Sequence, residues 1–450
     1  MKNADLLILG GSAAGLAAAN AAYARFPKKK INIIRNVDYT VVPCGIPYIY
    51  GYLDNVEKDK IPDQGFLNKG MEITIGEVVD IDRTNKIVTL ADGEQIQYEK
   101  LVFGLGSSPK FPPVEGTALK NVYPIKKDPV YLQQIYDALN APDVKDVVVI
   151  GGGFIGVEMA EQIKLRGDYN VSLVEALPHC LMMTCEEFAG TRAEAELQTM
   201  GVNIMTNTMV KAINGADKVE SVALSSGETL KADMVILGIG CGPNTDLAKK
   251  IGLDVDPKCG VKVDEYMCTS DPSIYSCGDC CTKFSAIDGT PSEARLASVA
   301  VLEGIIAGSN IFGNLRKHQG VVGSFCTKVG GVSIASAGLT EKQAQDKGMD
   351  YYTGSITAAD RHPGALPGCT PNMEMKLLFE KGTDLAIGGH VAGGMQAGDM
   401  VNVIAVAIQN HLTADQIVAS QFATHPLLTG SPLVYHVLWA AENAIVNRSK

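Results

Sequence analysis

Residues 146–167, DVVVIGGGFIGVEMAEQIKLRG, carry the reading that decides the fold. An apolar β-forming run breaks into a glycine turn, and the turn opens a stretch of helical character. Gly151 permits the tight turn, Gly153 lets a ligand approach the backbone, and Gly156 lets helix and strand pack closely. Phe154 and Ile155 lie between the last two glycines, at the helix start, where free N–H groups favour a pyrophosphate. The next run, YNVSLVEA at 169–176, is a second strand ending in Glu175. An acid at that place hydrogen-bonds both ribose hydroxyls and repels a 2′-phosphate, so the unit favours NADH over NADPH.

The same plan occurs earlier, in ADLLILGGSAAGLAAANAA at 4–22. Gly10 makes the turn and Gly15 the close helix contact, while Ser12 replaces the middle glycine and Ala13 and Ala14 follow it. The matching strand end, INIIRNVDY at 31–39, carries Arg35 in place of an acid, set either to stack on an adenine or to stand as a solvated charge. Two such units in one chain imply two dinucleotides, and a nicotinamide donor beside a flavin is the natural chemical pair. Supporting phrases surround them. KLVFGLGSSPKFPPVEG at 100–116 is a strand ending at Gly106 and Ser107, with prolines that stop further pairing. ADMVILGIGCGPNTDL at 232–247 repeats strand-then-glycine up to Gly240, and CTSDPSIYSCGDC at 268–280 runs a strand into Gly278 and Asp279. Asp279 is placed to bond a flavin's ribityl chain or to cap a helix.

Composition sets the outer limits. A chain of 450 residues with 46% hydrophobic residues and 47 glycines fits two to three globular α/β domains. A net charge of -11 argues against a nucleic-acid partner, and no apolar run reaches the ~18 residues of a membrane span. The first 24 residues superficially resemble a secretory signal, but Asp5 interrupts it and the glycines sit where a strand turns into a helix. Eleven cysteines without framework spacing fit a reducing cytoplasm and no disulfide scaffold.

A lone cysteine occupies VVPCGIPYIY at 41–50. This segment, the two glycine turns, the turn before Pro109, Gly240 through Pro243-Asn244-Thr245, Gly278-Asp279, GLTEKQA at 338–344 and HPGALPG at 362–368 resemble one family. It is the flavoprotein disulfide reductases with two dinucleotide domains. Within it, the chain is most similar to the single-cysteine branch of coenzyme A-disulfide reductases, NADH oxidases and peroxidases, and persulfide or polysulfide reductases. The resemblance covers nearly the whole chain. It implies an α/β fold of two Rossmann-like domains, for FAD and NAD, and an α+β C-terminal dimerisation domain that completes the partner's active site. The expected boundaries are 1–110 with 245–318 for FAD, 111–244 for NADH and 319–450 for the interface. VNVIAVAIQNHLTADQI at 401–417 reads as one amphipathic helix of that last domain. Pro43 joins the residues expected at the cofactors, with Gly10, Ser12, Ala13, Ala14, Gly15, Arg35, Gly106, Ser107, Gly240, Gly278 and Asp279, and with Gly151, Gly153, Phe154, Ile155, Gly156 and Glu175.

Cys44 is expected at a helix start over the flavin, where the helix N-terminus favours thiolate over thiol. Two-cysteine relatives carry a partner five positions on; here that position is Ile49, so Cys44 acts alone. A departing sulfur needs a proton donor. The branch uses tyrosines in its C-terminal domain, and this chain has His362 at one such place and Phe422 with His425 at the other. The His425-Pro426 pair resembles the proton-donating pair of two-cysteine reductases. The family's peroxidases and oxidases carry a histidine in the first glycine turn, where Ser12 stands here, which favours sulfur over peroxide as acceptor. Cys180 and Cys185 are read as incidental, Cys277, Cys280 and Cys281 as buried rather than metal-binding, and Cys369 as a secondary thiol near the active-site loop. The expected protein is a cytoplasmic, homodimeric reductase of disulfides, persulfides or polysulfides, coenzyme A derivatives leading. NADH oxidation by oxygen and electron transfer to another redox protein are the rivals.

Overall fold

A computed structural model describes residues 1–448. The apolar run Lys2–Leu9 forms a central strand of a seven-stranded sheet. Ile31–Arg35 and Gln95–Phe103 flank it in parallel, so the chain leaves in opposite directions around it. Such a switch point opens a crevice at the strands' carboxyl ends, where dinucleotides bind. Glu72–Ile75 and Ile274–Ser276 extend the parallel part, and the hairpin Val78–Asp82/Ile87–Leu90 adds antiparallel strands.

The second unit is a five-stranded parallel sheet with Asp146–Ile150 at its centre, between Asn170–Val174 and Met234–Leu237. The two glycine turns use one device. A Cβ on Gly15 would lie 1.8 Å from the Gly10 carbonyl oxygen, and one on Gly156 would lie 1.7 Å from that of Gly151. Each helix therefore touches the turn it leaves, which aims its N–H groups into the crevice.

Ser107–Pro109 pairs antiparallel with Cys241–Pro243 where the chain crosses between the units. Pro109 does not stop pairing as expected, because this ladder is two short edge strands that do not need its N–H. The third unit is a five-stranded antiparallel sheet, Ser324–Val329 at one edge and Tyr351–Ala358 at the other, packed under Ala397–Gln409 and His436–Arg448. The amphipathic segment is two helices. Asn410 ends the first, His411 has φ +54°, and a Thr413/Gln416 capping box starts Ala414–Val418. Apolar periodicity continues across the break, but Thr413 offers a better start than Asn410 offers continuation.

Candidate active site

Cys44 stands on a 3-10 helix, Pro43–Tyr50, with Pro43 in its first turn and Pro47 inside it. Ile46, Ile49 and Tyr50 are buried in the core of the second unit, against the helix Phe154–Arg166. Gly45 fits flat on Asp59, whose Oδ1 would lie 1.8 Å from any Cβ there. The thiol itself is exposed and free. Burial of the surrounding segment pushes its pKa up, Glu158, Asp59 and Cys326 add to this, and the Lys127 ammonium opposes it. This corrects the expected depressed pKa. Burial is the largest cause, and the two carboxylates outweigh the one cation.

Glu158 is the strongest of those charges and was missed in the sequence. It accepts a 2.7 Å bond from Thr327 Oγ1 of the third unit, and burial raises it to about 7, with Glu161 adding and Thr327 opposing. It sits four residues after Phe154, so the helix that starts at the nicotinamide turn brings both to one face. A carboxylate among small and apolar residues of a glycine-turn helix was the available signal. The Phe154 ring meets Phe325 edge-on at 3.9 Å. Lys127 had no sequence signal.

Asp279 caps no helix. Its Oδ2 accepts from Ser107 Oγ at 2.7 Å and Lys127 Nζ at 3.0 Å. Burial would raise its pKa, yet the Lys127 charge and the two bonds hold it below the usual carboxylate range. Arg35 is not a solvated charge either. It is buried, with a two-point bond to Asp63 at 2.7 and 2.6 Å and further bonds to the Val37 and Asp38 carbonyls and to Thr40 Oγ1. Its aliphatic stem lies beside Gly11, so it shapes the first turn from below. Ser12 precedes the helix Ala13–Arg25 without a side-chain cap, and Ala14 packs against Gly278.

The residues fit two dinucleotides. Gly10 and Gly151 take positive φ angles of +116° and +103°, and a Cβ at either would crowd the next strand's carbonyl, Gly104 at 2.0 Å and Gly238 at 2.8 Å. Gly106, Gly153 and Gly240 face open space, where a ligand backbone can approach. Glu175 stays at its strand end, Oε2 taking the Gly152 N–H at 2.5 Å and Oε1 the Leu177 N–H at 2.7 Å. Both oxygens are thereby fixed beside the second glycine turn.

The two histidines lie on touching loops. His362 Nδ1 is 3.3 Å from the Thr429 carbonyl oxygen, and its N–H points to that of Pro426. His425 is exposed, its Nδ1 accepting the Leu427 N–H at 3.3 Å, amid exposed Leu427, Leu428 and Leu433. Neither is among the groups whose charge reaches Cys44 within the chain. Cys180 and Cys185 are buried, and burial pushes both thiols up, Cys185 to about 12. Cys277, Cys280 and Cys281 are buried, and no cluster of three or more metal-ligating side chains occurs among the described residues. Cys369 is half-buried beside Asp360. Cys326, on an edge strand, is an exposed thiol among the groups that raise the pKa of Cys44. No helix among the described residues is long and apolar enough to cross a membrane.

Residues 4–304 match the family described as pyridine nucleotide-disulphide oxidoreductase, and 325–433 match its dimerisation domain. An NAD(P)H sulfur oxidoreductase (CoA-dependent) of Pyrococcus abyssi is 32% identical over 83% of this chain and 85% of its own. An NADH oxidase of Methanocaldococcus jannaschii is 29% identical over 98% of both chains. Among solved structures, a NAD-dependent persulfide reductase from A. fulgidus superposes with a TM-score of 0.91 at 29% identity, covering 99% of this chain and 84% of that one.

Proposed function

Since the chain belongs to the pyridine nucleotide-disulphide oxidoreductases, we propose that it uses NADH to reduce low-molecular-weight disulfides, persulfides or polysulfides through Cys44. One observation carries this reading: an exposed thiol on a 3-10 helix packed against the helix of the second glycine turn, with buried Ile49 where a second cysteine would pair with it. The names of the sulfur oxidoreductase and persulfide reductase relatives support it and make coenzyme A derivatives the leading thiol class.

Bound FAD would supply the two-electron relay between NADH and the thiol. The first unit would hold it with the Gly10–Gly15 turn, Gly106, Ser107, Gly278 and Asp279, over the base that Arg35 shapes. Lys127 bridges its side of the cleft, bonding Asp279 and lowering the pKa of Cys44. Gly151, Gly153 and Gly156 would seat the nicotinamide dinucleotide, and the fixed Glu175 carboxylate favours NADH by repelling a 2′-phosphate. Phe154, at the start of that helix, packs edge-on against Phe325 of the third unit.

As thiolate, Cys44 Sγ attacks one sulfur of the substrate. A new S–S bond forms to Cys44 as the substrate's S–S bond breaks. The departing sulfur takes a proton from His425 of a second subunit, with His362 beside it holding the loop. Two electrons then cleave the Cys44 bond and release the second thiol. In sum, NADH, a proton and a disulfide give NAD⁺ and two thiols. Eleven free cysteines in the chain suit a reducing compartment, as the cytoplasm is.

Trapping tests the reading. Protein with Cys44 as the free thiol, incubated anaerobically with coenzyme A disulfide without NADH, then alkylated and digested, should carry the coenzyme A adduct on the Cys44 peptide by mass spectrometry. An adduct confined to Cys326 or Cys369, or absent, would contradict it.

A further inference from the structure

Beneath the Gly278–Asp279 turn lies a buried ionic cluster that the chemistry above does not use. Glu303, from the helix Ala297–Asn310, is fully buried, and Lys283 and His318 are each 3% exposed at the side chain. Glu303 Oε2 accepts the Gly278 N–H at 2.7 Å and the Cys281 thiol at 3.5 Å. Lys283 Nζ donates to the Gly278 carbonyl at 3.0 Å and to that of Cys281 at 2.8 Å, and lies 3.5 Å from Glu303 Oε1. The Gly278 residue is thus held from both ends, its N–H by a carboxylate and its C=O by an ammonium. Gly278 has φ +80°.

His318 comes from the segment that leaves this unit for the third. Its Nδ1 accepts the Gly320 N–H at 3.1 Å, so the neutral ring carries its proton on Nε2, which faces Glu303 Oε1 at 3.9 Å. Burial, with Lys283 adding to it, pushes its pKa down to about 4, which keeps the ring neutral. Glu303 Oε1 and His318 Nε2 have no hydrogen-bond partner among the described residues.

A buried ion pair is poor stabilisation, because desolvating two charges offsets their attraction. Hydrophobic side chains would fill the same space at least as well. What the pair does that they could not is grip both polar ends of one glycine, immediately before the carboxylate that meets Ser107 and Lys127.

We propose that Glu303 and Lys283 are positioning residues for the flavin dinucleotide: by fixing Gly278 they set the angle at which Asp279 enters the first crevice. The proposal rests on the reading of that crevice as the FAD site.

The test is FAD affinity, measured by quenching of FAD fluorescence as apo-protein is titrated, with thermal unfolding of each apo-protein alongside. Two double variants leave no buried charge unpaired. Glu303→Gln with Lys283→Met retains an acceptor for the Gly278 N–H; Glu303→Leu with Lys283→Met does not. The expected result is FAD binding three- to tenfold weaker than wild type for the first, which keeps only the grip on the Gly278 N–H, and at least tenfold weaker again for the second, at matching Tm. The weaker variant should also show a shifted absorption maximum of bound flavin. Equal, wild-type Kd values for both would overturn the proposal. If the Leu/Met chain fails to fold, Glu303→Asp decides. It keeps the charge but shortens the arm away from Gly278, and an unchanged Kd overturns the idea. Wild-type apo-protein that binds no FAD at all would instead contradict the assignment of the crevice.

Discussion

At the scale of single residues, the local setting of Cys44 does not make it a strong thiolate. Burial, Glu158 and Asp59 raise its pKa and Lys127 alone opposes them. The thiolate fraction therefore grows as pH rises through a value above the ordinary thiol range, and alkylation by iodoacetamide should still be accelerating at pH 9. Glu158→Gln removes the largest negative charge, lowers the thiol pKa and should speed alkylation at neutral pH; Lys127→Met should slow it. A Glu158→Gln profile identical to wild type would show that this carboxylate does not reach Cys44. The sequence announced the thiol through its setting in CGIP and its missing partner at Ile49, but not its electrostatics. Glu158, Asp59 and Lys127 are 114, 15 and 83 positions from Cys44 by their numbering, and only tertiary folding brings their charges to it. Arg35 was similarly ambiguous: a charge at a strand end reads as solvent-facing until Asp63 turns up 28 residues later as its partner.

At the scale of elements, the two strand–turn–helix units were legible because glycine spacing is a steric requirement. An alanine Cβ at Gly15 or Gly156 would enter a carbonyl oxygen's radius, at 1.8 and 1.7 Å. Gly156→Ala should push the helix off its turn, cost about 1–3 kcal/mol and raise the KM for NADH with FAD retained. Gly15→Ala should do the converse and lose FAD. Flavin content and NADH KM, measured on both variants, check the pair, and interchanged effects would assign the turns the other way. Helix type and helix ends were less legible. Pro43 and Pro47 read as a turn into a helix, and only the packing of Ile46, Ile49 and Tyr50 sets its 3-10 winding. The break at 410–413 hides inside continuous apolar periodicity because capping by Thr413 is a local competition.

For the whole molecule, bonds between the three units cross near Cys44: Asp279 and Ser107 of the first meet Lys127 of the second, and Glu158 and Phe154 of the second meet Thr327 and Phe325 of the third. The Cys44 segment itself shares the second unit's core although its chain lies in the first, which no boundary drawn along the sequence could express. The His425 loop looks outward instead. With Leu433 80% and Leu428 67% exposed beside it, this face invites a second copy, in keeping with the matched dimerisation domain. Leu428→Asp with Leu433→Asp should give a monomer by sedimentation that still passes electrons from NADH to an artificial dye but reduces disulfides poorly. A monomer with full disulfide turnover would mean that His425 does not act between subunits.

The most direct measurement is anaerobic stopped-flow reoxidation of the NADH-reduced enzyme by coenzyme A persulfide, coenzyme A disulfide, polysulfide and, separately, oxygen, with Cys44→Ser beside wild type. The account predicts that a sulfur acceptor reoxidises wild type much faster than oxygen and that the variant loses this reaction. Faster reoxidation by oxygen, or a variant that matches wild type with every acceptor, would contradict it and leave an NADH oxidase.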